Sequence, residues 1–162
     1  MPTIELITEI KGDIFICFDL SRSIDLHQIS TAHTNEKAID GRINGLIELN
    51  EFVTWQARHF CITQKLSSKI TQFSRPFHFR DELLRGAFKS LVHDHFFEQK
   101  ENYVIMKDVF VFKSPFGFIG NLLDKLVLTE YLQTLLINRN NVIKEYAETD
   151  NWKSVLDETK YL

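Results

Sequence analysis

The sequence predicts an α+β fold in which a curved antiparallel sheet of about six to seven strands wraps around one long C-terminal helix. Three observations predict it: a first strand followed at once by two short helices, then strand after strand with tight links, then a long amphipathic stretch. The chain has 162 residues, the length of one domain. Hydrophobic residues make up 44% of it and charged residues 25%, so extensive disorder is not expected.

The first strand is predicted at residues 3–10, where apolar and β-branched residues recur with the period of a strand. Gly12 and Asp13 end this strand, and Asp13 is a favourable N-cap for the short helix that follows. Ser23 is placed to cap a second short helix over residues 24–30. Two short helices directly after a first strand are an unusual arrangement, which makes them informative about the fold.

The middle of the chain, from about residue 35 to residue 114, shows one strand pattern after another. Glycine, proline and polar residues separate these patterns at short intervals. Sequential strands with tight links imply an antiparallel meander. The candidate strands are 35–40, 44–49, 51–59, 61–73, 77–85, 87–98 and 102–113.

A long helix is predicted after the stop at Ser114-Pro115-Phe116-Gly117, and it continues to about Glu148. At roughly 30 residues it is far longer than the average helix, and its apolar stripe needs an extended surface, which the meander supplies. We assign residues 1–148 to this domain and residues 149–162 to a C-terminal extension of it, which either folds back or packs on a neighbouring molecule. The stripe runs through Leu128, Leu132, Leu135, Arg139, Val142, Ile143 and Tyr146.

Charge and cysteine content exclude several classes of function. The net charge is −3 and no stripe of lysine and arginine is visible, so a nucleic-acid partner is not expected. Cys17 and Cys61 lack metal-ligand spacing, and free buried thiols are favoured over a disulfide. We expect no secretion signal, because Met1-Pro2-Thr3-Ile4-Glu5 offers neither a basic nor an apolar region, and the longest apolar run is too short for a bilayer. We expect a cytoplasmic monomer or weak homodimer with no cofactor and no integral membrane segment.

Several stretches, together with the order of the elements, resemble a bacterial subfamily of the START/polyketide-cyclase/birch-allergen superfamily, often written SRPBCC. Some members of that subfamily are described as polyketide cyclases. The resemblance covers about residues 3–147 and implies the helix-grip fold of the superfamily. The stretches are Asn50-Glu51-Phe52-Val53-Thr54-Trp55, Gly86-Ala87-Phe88, His93-Asp94-His95-Phe96-Phe97, Met106-Lys107-Asp108 and Ser114-Pro115-Phe116-Gly117-Phe118-Ile119-Gly120.

This resemblance implies a cavity between the sheet and the long helix that takes apolar ligands. It does not imply one activity, because the superfamily includes lipid carriers, hormone receptors, cyclases, oxygenase subunits and chaperone cofactors. The chain lacks the Rieske set of cysteines and histidines, which excludes the oxygenase branch.

The strands at 87–98 and 102–113 carry the most informative side chains. A four-residue turn at Gln99–Asn102 places His93 opposite Asp108 and His95 opposite Met106, so these side chains share one face of the hairpin. The other face, with Asp94, Glu98, Lys107 and Lys113, is expected to be the solvated one. The inward face carries Leu91, His93, His95, Phe97, Val104, Met106, Asp108, Phe110 and Phe112.

Buried polar groups must be paired, and a cross-strand pair of His93 and Asp108 meets part of that requirement. Three interpretations stay open: a structural hydrogen-bond network, a polar floor that anchors a ligand, and an acid/base pair if the protein is an enzyme. A metal site that adds His95 is disfavoured, because the two histidines are two residues apart on one strand and no further strong ligand is placed.

Ligand-binding residues are expected on the inner face of the sheet, at the entry to the long helix and on its stripe. Trp55 suits a cavity wall and plain core equally. His27 and His33 are expected to be solvated, with a gate at the cavity mouth as the alternative. The predicted ligand-binding set is Trp55, Gln64, Leu66, Leu91, His93, His95, Phe97, Met106, Asp108, Phe110, Phe116, Phe118 and Leu132.

The function predicted first is the binding or carriage of a small hydrophobic or amphipathic molecule in this cavity. One alternative is an enzyme resembling a polyketide cyclase or dehydratase, with His93 and Asp108 as its acid/base pair. The other is a protein-interaction or regulatory module with an exposed apolar patch near Trp152, Val155 and Leu156.

Overall fold

A computed structural model describes residues 1–59, 61–113 and 127–161. Short 3-10 helices cover Ala32–Thr34, Asp150–Ser154 and Glu158–Lys160. The predicted start of the long helix, including Phe116 and Phe118, lies outside the described residues. The strands and α-helices are β1 (Thr3–Ile10), α1 (Ile14–Ser21), α2 (Ile24–Ser30), β2 (Lys37–Gly41), β3 (Phe52–His59), β4 (Ile62–Ser74), β5 (His78–Arg85), β6 (Ser90–Gln99), β7 (Val104–Lys113) and α3 (Thr129–Glu148).

The strands form one seven-stranded sheet in the order β1-β7-β6-β5-β4-β3-β2, and every neighbouring pair is antiparallel. The meander from β2 to β7 is extended by β1, which pairs with β7 and leaves β1 and β2 at the edges. α3 packs on the inner face of the sheet and also contacts α1 and α2. The predicted fold class, with two short helices after the first strand, is confirmed.

Both predicted helix caps are present. The carboxylate of Asp13 accepts hydrogen bonds from the backbone N–H groups of Phe15, at 2.8 Å, and Ile16, at 3.2 Å. The hydroxyl of Ser23 accepts from the backbone N–H of Leu26 at 3.2 Å. These bonds satisfy donors that a helix N-terminus otherwise leaves without partners, which explains why each helix begins where the sequence predicts.

The predicted strand at 44–49 is wrong. Within the described residues this segment forms a single isolated bridge, between Leu46 and Ser23. Its backbone bonds go to the junction of α1 and α2, where Ile24 N–H donates to Gly45 and Ile47 N–H donates to Arg22. Gly45 also has a left-handed φ of +69°, which turns the chain away from a strand path. The remaining candidate strands are confirmed with small displacements of their ends.

The register of β6 and β7 differs from the predicted one by two residues. His95, not His93, lies directly opposite Asp108, and His93 lies opposite Phe110. Gln99 still belongs to β6, because the turn is closed by the backbone bond from Lys100 N–H to Tyr103 at 2.8 Å. A shift of two residues preserves the faces of a strand, so His93 remains diagonal to Asp108 on the same side.

The predicted inward face of this hairpin is confirmed, since all nine of its residues are buried. The outward face needs one correction, because Asp94 is also buried. Arg80 holds it with two parallel hydrogen bonds of 2.8 Å, and His78 adds a third contact at 2.7 Å. Long side chains from β5 therefore cover this carboxylate on the solvent side of the sheet.

Residues 149–161 fold back on the body. Leu156 is buried, Trp152 and Val155 pack against the main core, and the hydroxyl of Tyr161 donates to Asp19 on α1 at 2.6 Å. The apolar patch predicted at Trp152, Val155 and Leu156 is therefore not exposed.

The described cysteines are both free. Cys17 is buried, but Cys61 is exposed, which corrects the prediction that both thiols are buried. Among the described residues, no helix combines the length and apolar character needed to cross a membrane.

Candidate functional site

A cavity of about 550 Å³ lies between the inner face of the sheet and the helices α2 and α3. This volume falls within the range of small-molecule sites, about 300–1,000 Å³. Apolar side chains make up most of its wall, and polar groups interrupt it at a few places. The apolar wall includes Ile24, Ile47, Val53, Trp55, Leu66, Ile70, Phe79, Leu91, Phe110, Leu132, Leu135 and Leu136.

Most of the predicted ligand-binding residues line this cavity. Phe97 and Met106 do not: the Phe97 ring lies 5.3 Å from that of Phe18, and the Met106 sulfur accepts from the Ser21 hydroxyl at 3.4 Å. Asp108 lies behind the wall, in contact with the two histidines of β6. The residues that line the cavity are Trp55, Gln64, Leu66, Leu91, His93, His95, Phe110 and Leu132.

Asp108 is the centre of a buried polar cluster between β6, β7 and α3. Its Oδ1 accepts from Nε2 of His93 at 2.8 Å, and its Oδ2 accepts from Nδ2 of Asn140 at 2.7 Å. Nη1 of Arg139 lies 3.6 Å from Oδ1. Burial alone would raise the pKa of Asp108, but the contacts with His93 and His95 hold that pKa well below its usual value. Asp108 is therefore ionised at neutral pH.

The two histidines beside Asp108 are neutral at the same pH. Burial lowers the pKa of His93 against the opposing hydrogen bond to Asp108, and burial and the neighbouring His93 lower the pKa of His95 further. An ionised carboxylate can only accept, so His93 donates Nε2–H and its Nδ1 carries a lone pair. Nδ1 of His95 is 2.9 Å from Oδ1 of Asp108 but outside hydrogen-bond geometry, and it has no partner among the described residues.

Arg139 brings a permanent charge from α3 into the cavity wall. Its Nη2 donates to the carbonyl of Ser21 at 2.8 Å, and its Nη1 donates to the Oδ1 of Asn140 at 3.2 Å. Burial lowers the pKa of this guanidinium, and the carboxylates of Asp108 and Asp81 oppose that shift, so the group stays charged. The sequence placed Arg139 on the inward stripe but did not predict this role.

Asp81 on β5 is a wall residue that the sequence analysis missed. It lies directly across from His93, and its Oδ2 accepts from the hydroxyl of Ser68 at 3.1 Å. Its Oδ1 is buried and has no hydrogen-bond partner in the described part of the chain. Burial raises the pKa of Asp81 to about 6. The sequence contains a signal for this position, because Phe79 and Leu83 lie two residues on either side of Asp81 and therefore on the same face of the strand.

His93, His95 and Asp108 bring their ligand atoms within 4.8 Å of one another, a set of groups that can hold a metal ion. Two features oppose this use. The guanidinium of Arg139 lies 3.6 Å from the oxygen that both histidines face, and Asn140 occupies the other oxygen. A fixed positive charge at that distance repels a divalent cation, so the cluster fits a hydrogen-bonded ion-pair network better.

The α2 side of the cavity carries a second polar group of residues. The ring of His27 lies 4.2 Å from that of Trp55, and its Nε2 is 3.1 Å from Oε2 of Glu36. Burial would raise the pKa of Glu36, but His27 holds it below the usual value. His27 is thus half-buried and paired, which corrects the expectation of a solvated side chain, whereas His33 is exposed.

The fold of the chain is similar to the folds of several solved structures. No protein-family profile and no curated protein sequence matches the chain. Solved structures match over almost its full length. TTHA0849 from Thermus thermophilus aligns with a TM-score of 0.68 at 12% identity, covering 88% of this chain and 97% of that one. This likeness confirms the predicted helix-grip fold.

Two further solved structures have a similar fold. The major latex-like protein 151 of Panax ginseng aligns with a TM-score of 0.65 at 15% identity, covering 91% of this chain and 99% of that one. The di-domain ARO/CYC StfQ from the steffimycin biosynthetic pathway aligns with a TM-score of 0.72 at 10% identity, covering 90% of this chain and 50% of that one. Identities this low show a shared fold and leave the activity to be argued from the site.

Proposed function

We propose that this helix-grip protein binds or carries a small apolar or amphipathic molecule in the cavity between the sheet and α3. The observation that supports the proposal is a cavity of about 550 Å³ whose apolar wall is interrupted by a few polar groups. Such walls bury the body of a ligand, and such polar groups orient it. Trp55, Leu66 and Leu132 then contact the apolar body, and the polar end lies near Asp81 and His93.

The test is a binding measurement with a neutral apolar dye, N-phenyl-1-naphthylamine, and native mass spectrometry of the freshly purified protein. We expect dye fluorescence to rise on binding, and bound molecules to be displaced by the dye. Leu91→Trp adds bulk at the cavity wall and should abolish dye binding. Leu84→Trp makes the same change at an exposed position of β5 and should leave it intact. Equal dye binding by the two variants, or none by the wild type, contradicts the proposal.

A second candidate function, a cyclase or dehydratase acting on polyketide-like substrates, is favoured by one observation. His93 lines the cavity and is held by a 2.8 Å bond to the ionised Asp108, which leaves its Nδ1 lone pair able to accept a proton. The likeness to the fold of StfQ is compatible with this candidate. His93→Gln should abolish turnover of a polyketide-like substrate and spare its binding. Unchanged turnover by this variant excludes the candidate.

A further inference from the structure

Asp81 differs from the other charged groups of the cavity because no positively charged side chain among the residues that the structure describes is paired with it. In the described part of the chain, no lysine, arginine or histidine nitrogen lies within 4.0 Å of its carboxylate. Ser68 supplies a hydrogen bond to Oδ2, and Oδ1 is buried without a partner. Rotation about χ2 of an aspartate is soft, so a partial rotation can turn the free oxygen toward the cavity.

The positive and protonatable groups that face Asp81 are engaged elsewhere. They come from the three elements around it: His93 from β6, His27 from α2 and Arg139 from α3. His93 donates to Asp108 at 2.8 Å, and His27 is 3.1 Å from Glu36. Arg139 is 3.6 Å from Asp108 and donates to Ser21 and Asn140. None of them is placed to neutralise Asp81.

At neutral pH the charge of Asp81 is therefore not offset by a paired cation within the described residues, although Arg22, which is held by Asp19 and Glu48, and the exposed Lys65 also line the cavity. Arg139 and Asp108 offset one another, and the neutral His93 and His95 contribute no charge. Asp81 and Glu36 remain as carboxylates that line the cavity. A bound carboxylate or phosphate would be repelled there, and a hydroxyl would satisfy the free oxygen without offsetting its charge.

We propose that Asp81 receives the polar end of the ligand, and that this end is a protonated amine carried on an apolar body. The inference rests on the proposed function, since it names the chemistry of the molecule that the cavity binds. An ammonium group supplies both things that Asp81 lacks, a hydrogen-bond donor for its free oxygen and a positive charge. The apolar walls of Leu66, Leu91 and Leu132 contact the rest of the molecule.

The experiment compares decylamine, 1-decanol and decanoate, which share one alkyl chain, by displacement of N-phenyl-1-naphthylamine at about pH 7.5. A charge-assisted hydrogen bond should make decylamine bind about ten- to a hundredfold more tightly than 1-decanol, with decanoate weakest. Asp81→Asn keeps the shape of the side chain and should reduce decylamine to the affinity of 1-decanol. Glu82→Gln removes one charge from the next residue, which bonds to Thr71, and should leave the preference unchanged.

A second measurement needs no variant. Below about pH 6 Asp81 takes up a proton, whereas an alkylamine stays protonated, so the preference of the wild type for decylamine over 1-decanol should fall by up to about tenfold per pH unit. If all three compounds bind equally, or Asp81→Asn keeps the amine preference, this inference is overturned and the proposed function stands. If neither the dye nor any of the compounds binds, the proposed function fails, and the inference fails with it.

Discussion

Asp81 lowers the stability of the ligand-free protein as the pH rises. Burial raises its pKa from 3.8 to about 6, so the folded state holds the proton more tightly than the unfolded chain does. Stability is then lost as the pH rises from about 4 to about 6, and the loss persists above that window. A carboxylate without a cationic partner destabilises the folded protein, so stability does not explain its presence. Residues that lower stability in this way are typical of binding sites.

Asp81→Asn should therefore stabilise the protein at neutral pH by about 2–3 kcal/mol, since one pKa unit corresponds to about 1.4 kcal/mol. The gain should shrink to nearly nothing below about pH 3, where both the folded and the unfolded wild type hold the proton. Urea unfolding of the ligand-free protein over a series of pH values measures it, with Glu82→Gln as the control. Equal stability of Asp81→Asn and wild type at neutral pH contradicts the argument.

Asp108 and Arg139 should show strong energetic coupling. Removing one partner leaves the other charge buried, so Asp108→Asn and Arg139→Met are each expected to cost about 3–5 kcal/mol. The double variant should lose less than the sum by about 0.5–3 kcal/mol, because neither charge is then left alone. The exposed pair of Lys107 and Glu5, 2.9 Å apart, is the matched control and should couple by less than about 1 kcal/mol. Additive losses at Asp108 and Arg139 in urea unfolding contradict this prediction.

At the scale of elements, two glycines with similar backbone conformations allow the cost of backbone strain to be distinguished from the cost of a steric clash. Gly41, at the end of β2, and Gly45 have φ values of +75° and +69°. A Cβ at Gly41 would lie 2.2 Å from the carbonyl oxygen of Phe52, whereas a Cβ at Gly45 would meet nothing within 4 Å.

Gly45→Ala should therefore cost only the left-handed strain, about 1–2 kcal/mol. Gly41→Ala should cost clearly more, because the neighbouring strand β3 must move away from the new methyl group. Thermal unfolding of the two variants measures the difference between them. Equal losses of stability would show that the backbone at Gly41 relaxes freely.

The elements also show what the sequence could predict. Patterns of period two predicted the inward face of β6 and β7 correctly, although the predicted register was two residues away from the observed one. A shift of two residues leaves the faces unchanged, so the prediction of faces is insensitive to the length of the turn. Residues 44–49 were predicted to be a strand, and this was wrong. The backbone of this segment forms hydrogen bonds with the junction of α1 and α2 instead of with a neighbouring strand. Such a long-range partner leaves no periodic signal in the segment.

The alternation of inward and outward residues predicted the site residues on β6 and β7. It was not applied to β5, and Asp81 was missed there. Asp81 lies between Phe79 and Leu83 at the spacing of one strand face, so alternation alone would have placed it inside. Arg139 was placed on the inward stripe of α3, but its partner is more than thirty positions earlier, on β7. Pairing between the helix and the sheet depends on how α3 lies against the sheet. Neither the period of the strands nor the apolar stripe of the helix contains that information.

At the scale of the whole molecule, polar contacts cross the interface between the sheet and α3. Asn140 reaches Asp108 on β7 at 2.7 Å and the hydroxyl of Thr8 on β1 at 3.3 Å. Arg139 reaches past them to Ser21 at the end of α1. These bonds fix the position of α3 over the sheet while the apolar residues beside them leave the cavity open. Arg139 and Ser21 also line the cavity, so the bond between them joins the cavity wall to the helix that covers it.

The C-terminal extension joins the same structural unit. Leu156 is buried in the main core, the rings of Trp152 and Tyr161 lie 5.5 Å apart, and Tyr161 donates to Asp19 at 2.6 Å. Arg22 and Arg75 hold the same carboxylate at 2.6 Å each, so α1, the β4–β5 turn and the extension meet at one buried charge. We infer that residues 149–161 unfold together with the rest of the domain.

The two tryptophans of the chain allow a direct test of this inference. In a Trp55→Phe background, Trp152 is the remaining indole and reports on the extension alone. Its fluorescence and the far-UV circular dichroism of the whole chain should then give one coincident thermal transition. Leu156→Ala creates a gap under the extension and should lower both midpoints together, because the cost of the gap, about 2–5 kcal/mol, falls on one cooperative unit. A fluorescence transition that precedes the loss of circular dichroism would instead make the extension a separate, weakly attached segment.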